Sequence, residues 1–373
     1  MKILITGAKG FIGKNLVAEL RNQAYNDLLE YDLDSDSKLL DDYTQKCQFV
    51  FHLAGVNRPE NPEEFMNGNF GFTSQLLDSL KKHNNKAPIL ITSSTQAALE
   101  NPYGQSKKAG EELIFQYGYD NNVPVYVYRL PNVFGKWCRP NYNSAVATFC
   151  NNIANELPIQ INDPEVMMNL VYIDDAISSF INKIKDNESF DKSSNKYEQV
   201  IPVHTIKLGE IVSLLHQFKE SRINLQIPDM GNAFVKKLYA TYLSYLPANN
   251  FSYPLKMNID ARGSFTEFIK SQDRGQVSIN ISKPHITKGN HWHHTKNEKF
   301  LVVSGQGVIR FRRIDTDEIL EYFVSGDKLE VLDIPVGYTH NIENLGDTDM
   351  VTVMWVNEIF DKDKPDTFFL AIN

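Results

Sequence analysis

The opening of the chain constrains its fold more tightly than any other stretch. Lys2 to Thr6 is a short apolar run rich in β-formers, and Gly7-Ala-Lys-Gly10-Phe-Ile-Gly13 follows at once, passing into a helical pattern through Phe11, Leu16 and Leu20. That order is strand, glycine loop, helix. The glycines permit a tight turn, close approach of the backbone to a pyrophosphate and close packing of helix on strand, while the helix N-terminus offers amide donors and a favourable dipole. A dinucleotide held at a mostly parallel sheet is therefore expected, with Gly7, Gly10 and Gly13 in the loop and Lys9, Phe11 and Ile12 beside them.

The runs that follow alternate as strands and helices. Leu28 to Asp32 reads as a second strand ending in an acid, placed where a ribose 2′-hydroxyl would be bound, which favours NADH. Lys9 and Lys38 would suit the 2′-phosphate of NADPH, so both cofactors stay open. Phe49 to Gly55 is a buried-strand run ending in Leu53, Ala54 and Gly55; Asn57 and Arg58 come next, available to cofactor or substrate. Ile89 to Thr95 carries a strand into hydroxyl residues, and Tyr103-Gly-Gln-Ser-Lys107 follows. An i, i+4 spacing stacks Tyr103 and Lys107 on one helical face. A cation there would lower the phenol's pKa from ~10 toward neutrality, and the tyrosine would exchange a proton with a carbonyl/alcohol couple while the cofactor moves a hydride.

The GxxGxxG spacing, a serine at a strand end and the Tyr/Lys pair, in that order, resemble the extended short-chain dehydrogenase/reductase family. The resemblance implies that Ser94 hydrogen-bonds the substrate oxygen, with Ser93 and Thr95 as near alternatives. It also implies that Leu53 to Gly55 pass beneath the adenosine, and that Tyr103 and Lys107 serve cofactor as well as catalysis. Val125 to Arg129 is a further strand, and Leu130 to Gly135 resembles the family's loop in which Asn132 and backbone groups meet a nucleotide sugar. Lys136 and Arg139 add cations suited to a diphosphate. Asn169 to Ala176 looks like the family's late strand entering a helix, where Asp174 reads equally as a cap.

Residues 186–203 are polar and read as a surface loop; Lys207 to Tyr245 reads as helical, with Phe234, Leu238, Tyr242 and Tyr245 as core or domain-contact surface. The expected division is a reductase domain at 1–246, a linker at 247–256 and a second domain at 257–373. From Met257 short alternating β runs separated by Gly and Pro turns indicate a sandwich or small barrel. Gly289 to Gly305 gathers His291, His293 and Glu298, and His340 follows a turn at Pro335. Two residues two apart on a strand share a face, and imidazoles plus a carboxylate suit Zn²⁺ or another first-row divalent ion, with a position open for water or substrate. The patterns Gly289-Xaa-His-Xaa-His-Xaa4-Glu298-Xaa6-Gly305 and Pro335-Xaa-Gly-Xaa2-His340-Xaa3-Asn344 resemble the two cupin signatures, although Gly326 stands further from Pro335 than is usual. Asp260 to Glu267 resembles the opening of dTDP-4-dehydrorhamnose 3,5-epimerase. There a histidine at the position of His291 is the base and no metal is used, so His291 carries two competing roles, ligand or catalytic base; His293, Glu298 and His340 favour ligand.

The expected fold class is thus α/β plus all-β: a Rossmann-type doubly wound parallel sheet followed by a cupin β-barrel. At 373 residues two domains are natural, and a net charge of −8 argues against a nucleic-acid partner. No apolar run approaches the ~20 residues of a membrane span, no signal-peptide core forms, and Cys47, Cys138 and Cys150 lack metal spacing. A cytoplasmic protein with reduced thiols and no membrane insertion is expected. The full order, with Asn57-Arg58-Pro59, Phe134-Gly-Lys-Trp137 and His291-Trp-His-His294, resembles a family of bifunctional capsular polysaccharide synthesis enzymes. That resemblance implies a homodimer acting on a UDP-sugar: the cupin epimerises C3 of a UDP-2-acetamido-2,6-dideoxy-4-hexulose, and the reductase then reduces the C4 ketone with NADPH. The alternative is a reductase whose cupin metal is structural or dimer-forming.

Overall fold

Ile3, Leu4 and Ile5, like Phe49, Val50 and Phe51, are wholly buried, which is what a parallel strand covered by helices on both faces requires. In this computed structural model, which describes residues 1–57, 61, 63–185 and 196–372, they sit centrally in a six-stranded parallel sheet. Its order is Leu28–Tyr31, Ile3–Thr6, Phe49–His52, Ile89–Ser94, Val125–Leu130 and Tyr197–Glu198. Because side chains alternate along a strand, Ile3 and Ile5 enter one core with Leu16, Leu20, Ile177 and Phe180, whereas Leu4 enters another with Leu76, Leu80 and Ile114. Helices Phe11–Asn22 and Ile173–Lys185 thus cover one face, and Phe72–Lys82 and Pro102–Asn121 the other. Sequence order reverses between strands Ile3–Thr6 and Phe49–His52. The crevice beyond their C-terminal ends is the place where such sheets bind ligands.

A small sheet of Asn132–Phe134, Met167–Tyr172 and His204–Lys207 completes this unit. The stretch read as helical forms two helices, Leu208–Asn224 and Ala233–Leu243, and Phe234, Leu238 and Tyr242 are buried. The first unit comprises Met1–His216 and Ala233–Pro247, the second Gln217–Asn232 and Ala248–Asn373. The sequence reading places Gln217–Asn232 in the first domain. Its backbone instead pairs with the second unit: Ile227 N–H donates to the Lys270 carbonyl and Lys270 N–H to that of Leu225, each at 2.8 Å. Among the described residues, no helix is long and apolar enough to cross a membrane.

The second unit is mostly β, with two antiparallel sheets. One runs Met257–Asp260, Gly263–Ser271, Gly275–Ser282, Met350–Val356, Glu298–Ser304, Val331–Ile334; the other Ile319–Ser325, Gln306–Arg313, Tyr338–Asn344, Thr287–Trp292, Phe368–Phe369. Phe300, Val302, Ile309, Phe311, Ile342 and Met350 pack as a core. Along Gly275–Ser282, by contrast, Gln276, Ser278, Asn280 and Ser282 are buried in strict alternation. A polar inner face of that kind borders a cavity, not a dry core, and Gln276 and Asn280 line one of 940 Å³.

Candidate functional site

The glycine loop lies in the crevice at the switch point. Gly7 has φ +71°, and a Cβ there would come within 2.8 Å of the Ala54 amide nitrogen; a Cβ on Gly13 would run into the Gly7 carbonyl oxygen. Only glycine lets Ala54 and the first helix approach so closely. Helix Phe11–Asn22 starts after Gly10 with no side-chain cap, so its first-turn amides remain for an anion, while Phe11 and Ile12 pack on the core. Gly7→Ala should cost at least about 1–2 kcal/mol from left-handed backbone alone and weaken NAD(P)H binding; thermal unfolding and cofactor titration check both.

Asp32 braces this loop. Its carboxylate accepts the N–H of Lys9 at 2.7 Å and of Leu33 at 2.8 Å. The Lys9 ammonium pairs with Asp34 at 2.5 Å, and Lys38 is exposed in the first turn of Ser37–Lys46. Leu53 and Ala54 are held to the first strand through Thr6, at 3.1 and 3.4 Å, and Gly55 follows.

Ser94, Tyr103 and Lys107 come together beside Gly55. Asn101 caps helix Pro102–Asn121 by accepting from Gly104 N–H at 2.7 Å, which sets Tyr103 in the first turn and Lys107 one turn on. The Lys107 ammonium stands 5.9 Å from the Tyr103 ring centroid and donates to the Thr92 carbonyl at 3.4 Å; a Cβ on Gly55 would sit 2.8 Å from it. Burial pushes the Tyr103 phenol up, and a hydrogen bond with Ser94 only partly opposes it. This direction is opposite to the expected lowering: desolvation of the anion is the largest influence on the phenol. Burial also pushes Lys107 down to about 8. Ser93 is engaged elsewhere, donating to Glu111 at 2.5 Å, and Glu111 binds Arg129 through two hydrogen bonds of 2.9 and 2.6 Å.

Two supporting residues escape a reading of local patterns. Asn69, the one buried residue of the π-helical turn Met66–Gly71, accepts from Val56 N–H at 2.9 Å and donates to Ser106 at 3.0 Å. It ties the Gly55 loop to the tyrosine helix. Thr73 donates to the Asn69 carbonyl at 2.6 Å, so it accepts from His52 Nε2–H at 2.8 Å, while His52 Nδ1 accepts from Thr6 at 2.7 Å. Burial pushes His52 down to about 3, keeping this relay neutral. Neither residue has a sequence periodicity that would mark it, since each acts between segments far apart in the chain.

Asn57 is half-buried at the end of the Gly55 loop, and Arg58 lies outside the described residues. Asn132 is exposed; Lys136 pairs with Asp174 at 2.5 Å, and the Arg139 guanidinium lies 5.3 Å from the Tyr142 ring.

In the second unit His291, His293, Glu298 and His340 each bring one ligand atom to within 4.8 Å of the others. Gly289 at φ +107° and Asn290 at φ 61° form a bulge that resets the register, so His291 pairs directly with His340. His293 falls just past that strand, its ring 5.0 Å from that of His291, and Glu298 opens a strand of the other sheet. Glu298 Oε2 lies 3.6 Å from His293 Nε2 and 3.2 Å from His340 Nε2, yet these buried atoms have no aligned hydrogen-bond partner. Burial, then His340, pushes His291 down to about 4. Burial would raise the Glu298 carboxyl, but His293 and His340 outweigh it and hold it below the usual range. A neutral imidazole and an ionised carboxylate among orphaned ligand atoms fit a divalent cation. The four line the 940 Å³ cavity, with Asn280 and Lys288 nearby.

Residues 3–195 match the NAD dependent epimerase/dehydratase family, and residues 258–368 the polysaccharide biosynthesis C-terminal domain. Over 373 residues the chain is 44% identical to UDP-2-acetamido-2,6-beta-L-arabino-hexul-4-ose reductase of Pseudomonas aeruginosa, covering 100% of this chain and 99% of that protein. The crystal structure of the capsular polysaccharide assembling protein CapF from Staphylococcus aureus is 57% identical and superimposes with a TM-score of 0.94 over 100% of both chains. UDP-glucuronate 4-epimerase 1 of Arabidopsis thaliana is 25% identical over 333 residues, spanning 72% of this chain and 76% of its own. With the glycine loop at the switch point and relatives that align from end to end, the chain belongs to the NAD dependent epimerase/dehydratase family, its second unit matching the polysaccharide biosynthesis C-terminal domain.

Proposed function

We propose that this protein converts a UDP-2-acetamido-2,6-dideoxy-4-hexulose in two steps, C3 epimerisation in the second unit and C4 ketone reduction in the first, giving UDP-2-acetamido-2,6-dideoxy-L-talose on the route to UDP-N-acetyl-L-fucosamine for capsule. The observation that carries the reading is the convergence of Ser94, Tyr103 and Lys107 beside the glycine loop, in a chain 44% identical along its length to a hexul-4-ose reductase. Ser94 hydrogen-bonds the C4 oxygen, Tyr103 gives it a proton, and the Lys107 cation favours the phenolate left behind. NADPH, or NADH, supplies the hydride.

The second unit is read as a cupin barrel. A divalent cation such as Zn²⁺, held by His291, His293, Glu298 and His340, would supply Lewis-acid polarisation of the ketone. The neutral His291 is available to take the C3 proton if it is not a ligand. Order follows from acidity: the α-proton is acidic only while C4 is a ketone, so epimerisation precedes reduction. A cytoplasmic homodimer fits this role. Incubation of the purified chain with the UDP-4-keto sugar in D₂O should place deuterium at C3 without NADPH, and yield the C4 alcohol when NADPH is added. Reduction with no C3 exchange would leave a reductase with a structural cation, and the absence of both exchange and reduction would overturn the assignment.

A further inference from the structure

The last described residues are stitched across the candidate cation site. Phe368–Phe369 pairs with His291–Trp292, and Leu370 N–H donates to the Asn290 carbonyl at 2.9 Å. The Arg312 guanidinium donates to the carbonyls of Ala371 and Ile372, both at 2.8 Å. Just ahead of them Asp366 does something more specific. Its carboxylate accepts the N–H groups of His294, Thr295 and Lys296 at 2.9, 2.7 and 2.9 Å, and the Thr295 hydroxyl at 3.1 Å. Its own backbone carbonyl accepts a hydrogen bond from His293 Nδ1.

Two consequences follow. A carbonyl can only accept, so His293 must carry its proton on Nδ1, leaving Nε2 as the lone-pair nitrogen facing Glu298. The turn 294–297, which carries the chain from His293 in one sheet to Glu298 in the other, is held from outside by a residue some seventy positions away. We propose that Asp366 is a positioning residue for the cation site: its carboxylate fixes the turn between two ligands, and the same residue's carbonyl fixes the tautomer and aim of His293. The inference rests on the cation reading above.

The test uses the full chain. Asp366→Asn, which keeps the volume and one acceptor oxygen, and Asp366→Ala are compared with the unaltered protein for Zn²⁺ affinity by chelator competition, for ¹⁵N shifts of the histidine rings and for thermal melting. Asp366→Ala should bind Zn²⁺ about 10–100-fold more weakly, the range found when partners outside the ligand set are removed. Asp366→Asn should fall between, and the His293 ring should stay protonated on Nδ1 in both variants, because the backbone carbonyl it donates to is kept. Unaltered affinity in both variants, even with a lower melting temperature, overturns the inference and makes Asp366 a plain turn anchor. An unaltered chain that binds no Zn²⁺ overturns the cation reading and this inference together.

Discussion

Tyr103→Phe should lower NAD(P)H-dependent ketone reduction by about 10²–10⁴-fold, the usual value of one positioned proton donor. The change removes a hydroxyl hydrogen-bonded with Ser94 and leaves the ring against Phe65, 5.5 Å between centroids, so the melting temperature should move little. Deuterium exchange at C3 should persist, because the residues proposed for it belong to the other unit. Lys107 gives the same site a pH dependence. Burial depresses its pKa to about 8, so the cation is fully present below that value and is lost as pH rises through it. Reduction should accordingly hold through neutrality and decline above about pH 8. Turnover in Tyr103→Phe equal to that of the unaltered chain would remove the tyrosine from the chemistry.

Loss of one proposed cation ligand should separate the two proposed activities. Glu298→Ala or His340→Ala leaves the remaining donors too few to hold the ion tightly, and metal analysis of the purified variant should show it depleted. If the cation activates the ketone, C3 exchange should fall about 10²-fold or more, consistent with several kcal/mol of transition-state stabilisation. The same variant should still reduce a ketone supplied in the correct configuration through Ser94, Tyr103 and Lys107. If the cation is structural, the melting temperature and dimerisation should fall while exchange survives in what remains folded. A metal-free, well-folded variant with full C3 exchange would leave the ion without a catalytic part and return the base to His291.

What could be read from the sequence were features whose geometry the backbone sets locally. A strand entering Gly7, Gly10 and Gly13 can do little but turn tightly into a helix, and Tyr103 and Lys107 share a helical face because four residues make about one turn. The parallel sheet and the mostly β second unit were legible for the same reason, as periodicities and unbroken apolar runs. The proximity of His291 and His293 was also legible. Its cause was not, since the bulge at Asn290 sets the register and His293 lies beyond the strand. Tertiary structure alone decided whatever depends on burial or on partners remote in the chain. The phenol of Tyr103 is raised, not lowered, because burial desolvates its anion more than the hydrogen bond with Ser94 stabilises it. Lys136 meets Asp174, Asn69 meets Val56, and Gln217–Asn232 joins the second unit through Lys270. Asp366, an unremarkable acid in an acidic tail, acquires its place only when the chain folds it back onto the amides of 294–296: spacing along a strand or helix is written in sequence, whereas a hydrogen bond across seventy residues depends on every fold element between.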